Sequence, residues 1–91
     1  MTTLPAKIEI YTTMFCPFCI RAKQLLEAKQ VSYDETDVTA KLSLRRAMSE
    51  RAGGRTSVPQ IFIDGQHIGG CDELLALDWA GQLDQMLRVA S

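Results

Sequence analysis

Histidine occurs once in these 91 residues and cysteine only three times. The lone histidine, His67, has no serine or cysteine arrangement near it in the chain that calls for a catalytic base, so it reads as a strand surface residue. An odd number of cysteines excludes a disulfide scaffold fully paired within one chain. Neither sign of charge is in excess. A formal net charge of -1 gives no reason to expect nucleic-acid binding or recruitment to an anionic membrane. No apolar run approaches the ~20 residues that span a bilayer. The opening stretch, Met1 to Lys7, lacks the basic region and long apolar segment of a signal peptide. A cytoplasmic protein is therefore expected. No internal repeat, low-complexity tract or linker interrupts the chain, and residues 1–91 are expected to form a single domain.

What is present is an ordinary globular composition, 46% apolar and 23% charged, built around Phe15-Cys16-Pro17-Phe18-Cys19. The pair follows an apolar run and opens a helical pattern. If the helix begins there, Cys16 sits at its amino end, where unpaired N–H groups and the helix dipole favour negative charge. A thiol in that place ionises more readily than a free cysteine, and the thiolate is the species that attacks disulfides. Cys19 falls three residues on, on the same helical face and within reach of a disulfide. In a reducing compartment a C-x-x-C beside a βαβ pattern reads as redox-active. As half of a zinc site the pair would need two more ligands, for which His67 and Cys71 are available. Zinc sites, however, place the second pair at shorter spacing and on a knuckle rather than a helix start, which favours the dithiol.

Hydrophobic periodicity places the other elements. Lys7 to Thr12 reads as a strand, and a helix runs from Cys16 to about Lys29 with Phe18, Ala22, Leu25 and Leu26 on its apolar face. Pro17 is tolerated in its first turn, and Cys19 leans toward the buried side with Ala22 and Leu26, leaving Cys16 the more exposed. Val31 to Glu35 reads as a second strand, parallel to the first. Asp37 or Thr39 is placed to cap a second helix whose inner side is Leu44, Ala47, Met48 and Ala52, ended by Gly53-Gly54. Val58 to Ile63 reads as a third strand. Asp64-Gly65 is a hairpin signal leading to a short fourth strand, Gln66 to Ile68. A helix opens after Gly69-Gly70 with Asp72 and Glu73 in its first turn, is interrupted at Gly81, and gives way to a closing amphipathic stretch of Leu83, Met86, Leu87 and Ala90. The order β-α-β-α-β-β-α predicts an α/β fold with one mixed four-stranded sheet and helices on its faces.

Two further segments carry double readings. Only about 5% of X–Pro bonds are cis, so the residues alone predict a trans bond at Val58-Pro59. A cis bond would turn the Val58 backbone outward, free to pair with an extended ligand. Gly69-Gly70-Cys71-Asp72 is either a turn with an acidic cap or a place where a backbone approaches closely and a helix terminus meets a carboxylate. Cys71 alone reads as a small buried residue. Charge is unevenly spread: Lys41, Arg45, Arg46, Arg51 and Arg55 stand against Glu50, whereas from Thr56 on Arg88 opposes Asp64, Asp72, Glu73, Asp78 and Asp84. Two solvated faces are the simplest reading.

These motifs, in this order and spacing, resemble the glutaredoxins, in particular the small bacterial members of the third class. The resemblance covers about Lys7 to Met86 and is carried by Ile8 to Thr12, Cys16-Pro17-Phe18-Cys19, Gly54 to Asp64 and Gln66 to Leu74. It implies a thioredoxin-like fold and a glutathione-dependent thiol–disulfide oxidoreductase, with Cys16 as nucleophile and Cys19 as resolving thiol. It implies a cis Pro59, against the reading from the residues alone. It also assigns glutathione contacts to Thr13, Phe18, Arg55, Ser57, Val58, Pro59, Gly70, Cys71 and Asp72. Thr13 stands where many members carry lysine, Phe18 where tyrosine is commoner and Ser57 where threonine is usual. Arg55 is a candidate to supply the positive charge lost at Thr13, and Lys23 a candidate to act on Cys16. The implied partners are glutathione, as co-substrate rather than a tightly bound cofactor, and disulfide-containing or glutathionylated proteins, ribonucleotide reductase among them. No metal is expected, and a monomer is. Rival readings are a glutaredoxin dimer holding an iron–sulfur cluster, against which Pro17 argues, and a thioredoxin-like donor fed by a flavoprotein reductase, against which the Gly69 to Asp72 segment argues.

Overall fold

The computed structural model describes residues 5–88. Strand β1 (Ile8–Thr12) buries Ile8, Ile10 and Thr12 and leaves Glu9 and Tyr11 half-buried, the period-two pattern of a central strand. It runs into helix α1 (Pro17–Ala28), whose N-cap is Cys16 and whose first helical residue is proline. Cys19, Ala22 and Leu26 form its buried stripe. Phe18, expected on that stripe, is instead 61% exposed. At about 100° per residue it lies at the edge of the sector centred on Cys19, Ala22 and Leu26, in the first turn beyond the end of the sheet.

Strand β2 (Asp34–Asp37) pairs in parallel with β1, Glu9 opposite Asp34 and Thr12 opposite Asp37. It starts three residues later than Val31, the expected position. Val31 and Tyr33 do pack against the core, so their alternation reports packing rather than strand pairing. Helix α2 (Leu42–Arg51) is capped by Lys41 without a side-chain bond, not by Asp37 or Thr39. Asp37 remains in β2, where its carboxylate accepts the Thr39 N–H, and the Thr39 hydroxyl accepts the Met14 N–H. Met48 and Ala52 are buried as expected, but Leu44 and Ala47 are exposed. The helix turns inward through its C-terminal half, where Arg51 lies 3.9 Å above the Phe62 ring and pairs with Glu9 on the same face of the sheet.

Strand β3 (Gln60–Ile63) is buried throughout and lies antiparallel to β1. It begins after Pro59, which has no N–H to give to the ladder. Asp64 and Gly65 both take positive φ, 52° and 80°, the turn that matches strand twist in a two-residue hairpin, and β4 (Gln66–Gly69) pairs back. Helix α3 (Cys71–Trp79) ends before Gly81, and α4 (Leu83–Leu87) closes the described chain with Leu83 and Leu87 buried. Ala90, expected in that last stretch, lies outside the described residues. The sheet order is β2-β1-β3-β4. On one face Ile8, Ile10, Ile61 and Ile63 meet Ala22, Leu26, Leu74, Leu83 and Leu87 in the main core, each fully buried Ile or Leu contributing about 1.5–3 kcal/mol. The other face carries Tyr11 and Phe62 under α2. This is the expected mixed sheet with helices on both faces. It brings the starts of α1 and α3 and the segment before β3 to one end of the molecule.

Candidate functional site

At that end Cys16 caps α1 with extended backbone, and its sulfur accepts the Cys19 N–H at 3.2 Å. The sulfur stands where serine or aspartate oxygen caps other helices, so a negative Sγ gains both the bond and the N-terminal partial charge. Its other neighbour is the Val58 carbonyl at 3.9 Å. Cys16 is partly exposed, whereas Cys19 is 2% exposed. Burial first, and then the hydrogen bond with Cys16, push the Cys19 thiol well up from its ordinary value, against a smaller opposite pull from the Thr13 backbone. The two cysteines therefore differ in exposure and in surroundings. All three cysteines are free. Cys71, also buried, has its thiol raised chiefly by desolvation.

Beside Cys16 opens a groove of about 180 Å³ lined by Phe18, Arg55, Ser57, Val58, Pro59, Gly70, Cys71, Asp72 and Glu73. Eight of the nine residues to which the family resemblance assigned glutathione contacts meet there. Thr13 is not among the lining residues; its backbone faces the Cys19 sulfur. The Val58–Pro59 bond is cis, as the family resemblance implies and against the expectation from the residues alone. Gly70 leaves little room for a side chain, because a Cβ there would stand 3.1 Å from the Pro59 carbonyl oxygen, a few tenths of an ångström too close. The missing side chain lets the groove wall and the start of α3 approach closely.

Three side chains that the sequence left unassigned hold this wall. Glu73 Oε1 accepts the Gly70 N–H at 2.6 Å and Arg55 Nη1 at 2.8 Å, and both contacts hold its carboxyl below the ordinary range. The signal was present as a glutamate three residues after the Gly70 cap, half of a capping box. Gln60, fully buried, donates Nε2 to the Ser57 carbonyl at 3.0 Å, while its Oε1 meets His67 Nε2 at 2.7 Å. His67 is thus a half-buried support for the segment before Pro59 rather than a surface residue. Lys23, a candidate partner for Cys16, instead pairs with Glu35 at 3.0 Å, and Thr12 donates to the same oxygen at 2.7 Å. Among the described residues no three His, Cys, Asp or Glu side chains converge as a metal ion would require.

Comparison with known proteins agrees with this geometry. Residues 8–68 match the sequence pattern of the Glutaredoxin family. The chain is 56% identical over 83 residues to a probable glutaredoxin of Synechocystis sp., covering 91% of this chain and 94% of that one. It is 54% identical over 83 residues to glutaredoxin 3 of Escherichia coli K12, covering 91% and 99%. Its fold superposes on the crystal structure of the buckwheat glutaredoxin–glutathione complex with a TM-score of 0.83 at 26% identity, covering 91% of this chain and 77% of that one. The solution structure of glutaredoxin from Brucella melitensis gives 0.80 at 47% identity, covering 91% and 89%.

Proposed function

The chain belongs to the glutaredoxin family and is a thiol–disulfide oxidoreductase of thioredoxin-like fold, and from that premise we propose that Cys16 is its nucleophile, Cys19 its resolving thiol and glutathione its co-substrate. With a glutathione–protein mixed disulfide, the Cys16 thiolate attacks the glutathione sulfur. The protein leaves as a thiolate and takes a proton from water. A second glutathione thiolate then attacks the glutathione sulfur on Cys16, releasing glutathione disulfide and restoring the Cys16 thiolate. With a protein disulfide, Cys16 forms the mixed disulfide with the protein. Cys19 then gives up its proton, attacks Cys16 Sγ and expels the second protein thiolate. Two glutathiones reduce the resulting Cys16–Cys19 disulfide, supplying the two electrons.

The groove divides the labour of holding glutathione. Val58 presents backbone polar groups to the cysteinyl part, beside the sulfur. The α3 start at Gly70, Cys71 and Asp72 offers N–H groups to the γ-glutamyl carboxylate. Arg55, held in place by Glu73, faces the glycine carboxylate, and Ser57 and Phe18 line the walls. Thr13 acts through its backbone on Cys19 rather than as a cation. The enzyme works as a one-domain monomer in the cytoplasm, without a tightly bound cofactor, on disulfide-containing or glutathionylated proteins such as ribonucleotide reductase. Among the described residues no helix is long and apolar enough to cross a membrane.

The observation that carries this reading is the partly exposed Cys16 sulfur, bonded to the Cys19 N–H at 3.2 Å and 3.9 Å from the carbonyl of Val58, which lines the groove. A Cys19→Ser variant keeps reduction of glutathione mixed disulfides and loses reduction of protein disulfides, while Cys16→Ser loses both. Activity in both variants would show the mechanism to be wrong.

A further inference from the structure

Five of the ten cations of this protein are paired with acids: Lys23 with Glu35, Lys29 with Asp78 and Asp84, Arg51 with Glu9, Arg55 with Glu73, Arg88 with Asp64. Of the other five, Lys7 and Arg21 stand apart in the chain, whereas three gather at the start of α2. Among the described residues Lys41 and Arg46 have no salt-bridge partner, and Arg45 spends its guanidinium on the Thr56 carbonyl, at 2.9 and 3.3 Å, which leaves its charge uncompensated. The first acid of that helix is Glu50. The Lys41 charge bears on Asp37, whose carboxylate already accepts the Thr39 N–H. One carboxylate stands against three cations.

Exposed apolar side chains lie in the same region. Phe15 is 92% exposed and Leu42 76%, with Met14 and Leu44 also open to solvent. Two tethers bring this region to the thiol. The Met14 N–H donates to Thr39 Oγ1 at 2.8 Å, joining the loop before Cys16 to the turn before α2. Arg45 ties α2 to Thr56, two residues before Val58, whose carbonyl faces Cys16 Sγ at 3.9 Å. Cys16 is therefore linked to two different surfaces. One is the groove that takes glutathione. The other is a set of exposed apolar side chains accompanied by unneutralised bases, the composition of a transient protein interface.

We propose that the Phe15–Leu42 surface, with Lys41, Arg45 and Arg46, docks the protein half of the mixed disulfide and selects cysteines flanked by acidic residues. The proposal rests on the reading of Cys16 and the groove given above: with glutathione in the groove, the chain it is joined to must leave across another surface, and this one is linked to the same sulfur. Selection by charge acts mainly on the encounter rate and weakens with salt.

The test compares three substrates: glutathionylated cysteine and two glutathionylated peptides of equal length, one with Asp and Glu flanking the modified cysteine, one with Lys and Arg. The wild-type protein turns over the acidic peptide with a kcat/KM about tenfold above the basic one at low ionic strength. That preference shrinks from about 0.02 M to about 0.3 M salt. Lys41→Glu/Arg46→Glu abolishes or inverts it, with glutathionylated cysteine turned over at the wild-type rate. Leu42→Ser lowers kcat/KM for both peptides together and again spares glutathionylated cysteine. Equal wild-type rates on the two peptides, or a preference that survives the double reversal, overturn the proposal, and so does a variant that slows the small substrate equally. Failure of the wild-type protein on glutathionylated cysteine would overturn the reading of Cys16 itself.

Discussion

Replacing Gly69 by alanine tests how the start of α3 is held against the groove. Gly69 is buried at the end of β4 with φ +122°, a conformation that costs an alanine about 1–3 kcal/mol. Its added Cβ would stand 2.8 Å from Glu73 Cγ and 3.0 Å from Glu73 Cβ, so Glu73 must swing away. It then gives up the Gly70 N–H and Arg55. The Arg55–Glu73 pair, with side chains 45% and 43% exposed, contributes at most about 1 kcal/mol, and the bond to the Gly70 N–H about another 1 kcal/mol. Glu73→Ala alone should therefore cost about 1–2 kcal/mol, and Gly69→Ala about 2–5 kcal/mol. In the double variant the contacts are already gone, so its cost should equal that of Gly69→Ala rather than the sum of the two. Urea denaturation of the reduced protein measures all three. The thermal shift for a chain of this size should be about 4–8 °C per kcal/mol. Gly69→Ala should also raise KM for a glutathione mixed disulfide more than it lowers kcat, because the N–H groups at the helix start lose their support. Strict additivity would mean that Glu73 does not move, and the close approach would then not be what makes Gly69 necessary.

Limiting iodoacetamide at neutral pH should label Cys16 well ahead of Cys19 and Cys71, because both of those are buried with thiols pushed up; peptide mapping that finds Cys19 labelled first would reverse the assignment of roles. Acid should destabilise the fold in a definite window. Glu9 is held below its ordinary 4.5 mainly by Arg51, Glu35 by the Thr12 hydroxyl and then Lys23, and Glu73 by the Gly70 N–H and then Arg55. Carboxyls depressed in the folded state stabilise fully above the unfolded value and lose that contribution as pH falls through the folded one. The urea midpoint should therefore hold steady from neutral pH to about 5 and drop below it. In Arg51→Ala the acid limb should be shallower because the Glu9 share is gone, and identical limbs would refute the coupling.

Local signals carried the dithiol and the hairpin into the structure without change. Proline at the first helical position and Asp64-Gly65 with positive φ each depend on the backbone of their own segment, so the chain states them directly. What it does not state depends on partners remote in sequence. Val31 and Tyr33 alternate like a strand because they touch the core, yet the register with β1 places the bonded residues at Asp34 to Asp37. Phe18 reads as core by helical spacing and faces the groove, because the sheet ends beneath the first turn of α1. Thr39 looks like a helix cap and is engaged by Met14. The cis bond before Pro59 was legible only through family resemblance. Gln60, whose amide joins His67 to Ser57, looks in the chain like any polar residue entering a strand. Its role follows from complete burial, which compels both ends of the amide to find partners.

Cys19→Ser treated with glutathione disulfide provides the most direct test of where the chemistry lies. The account predicts one glutathione on Cys16, and backbone amide shifts concentrated at Phe18, Arg55, Ser57, Val58 and Gly70 to Glu73. The hollow at the far end of the sheet, lined by residues 5–8 and 30–34, should stay unshifted. Glutathione found on Cys71, or shifts centred on that far hollow with the groove silent, would contradict it.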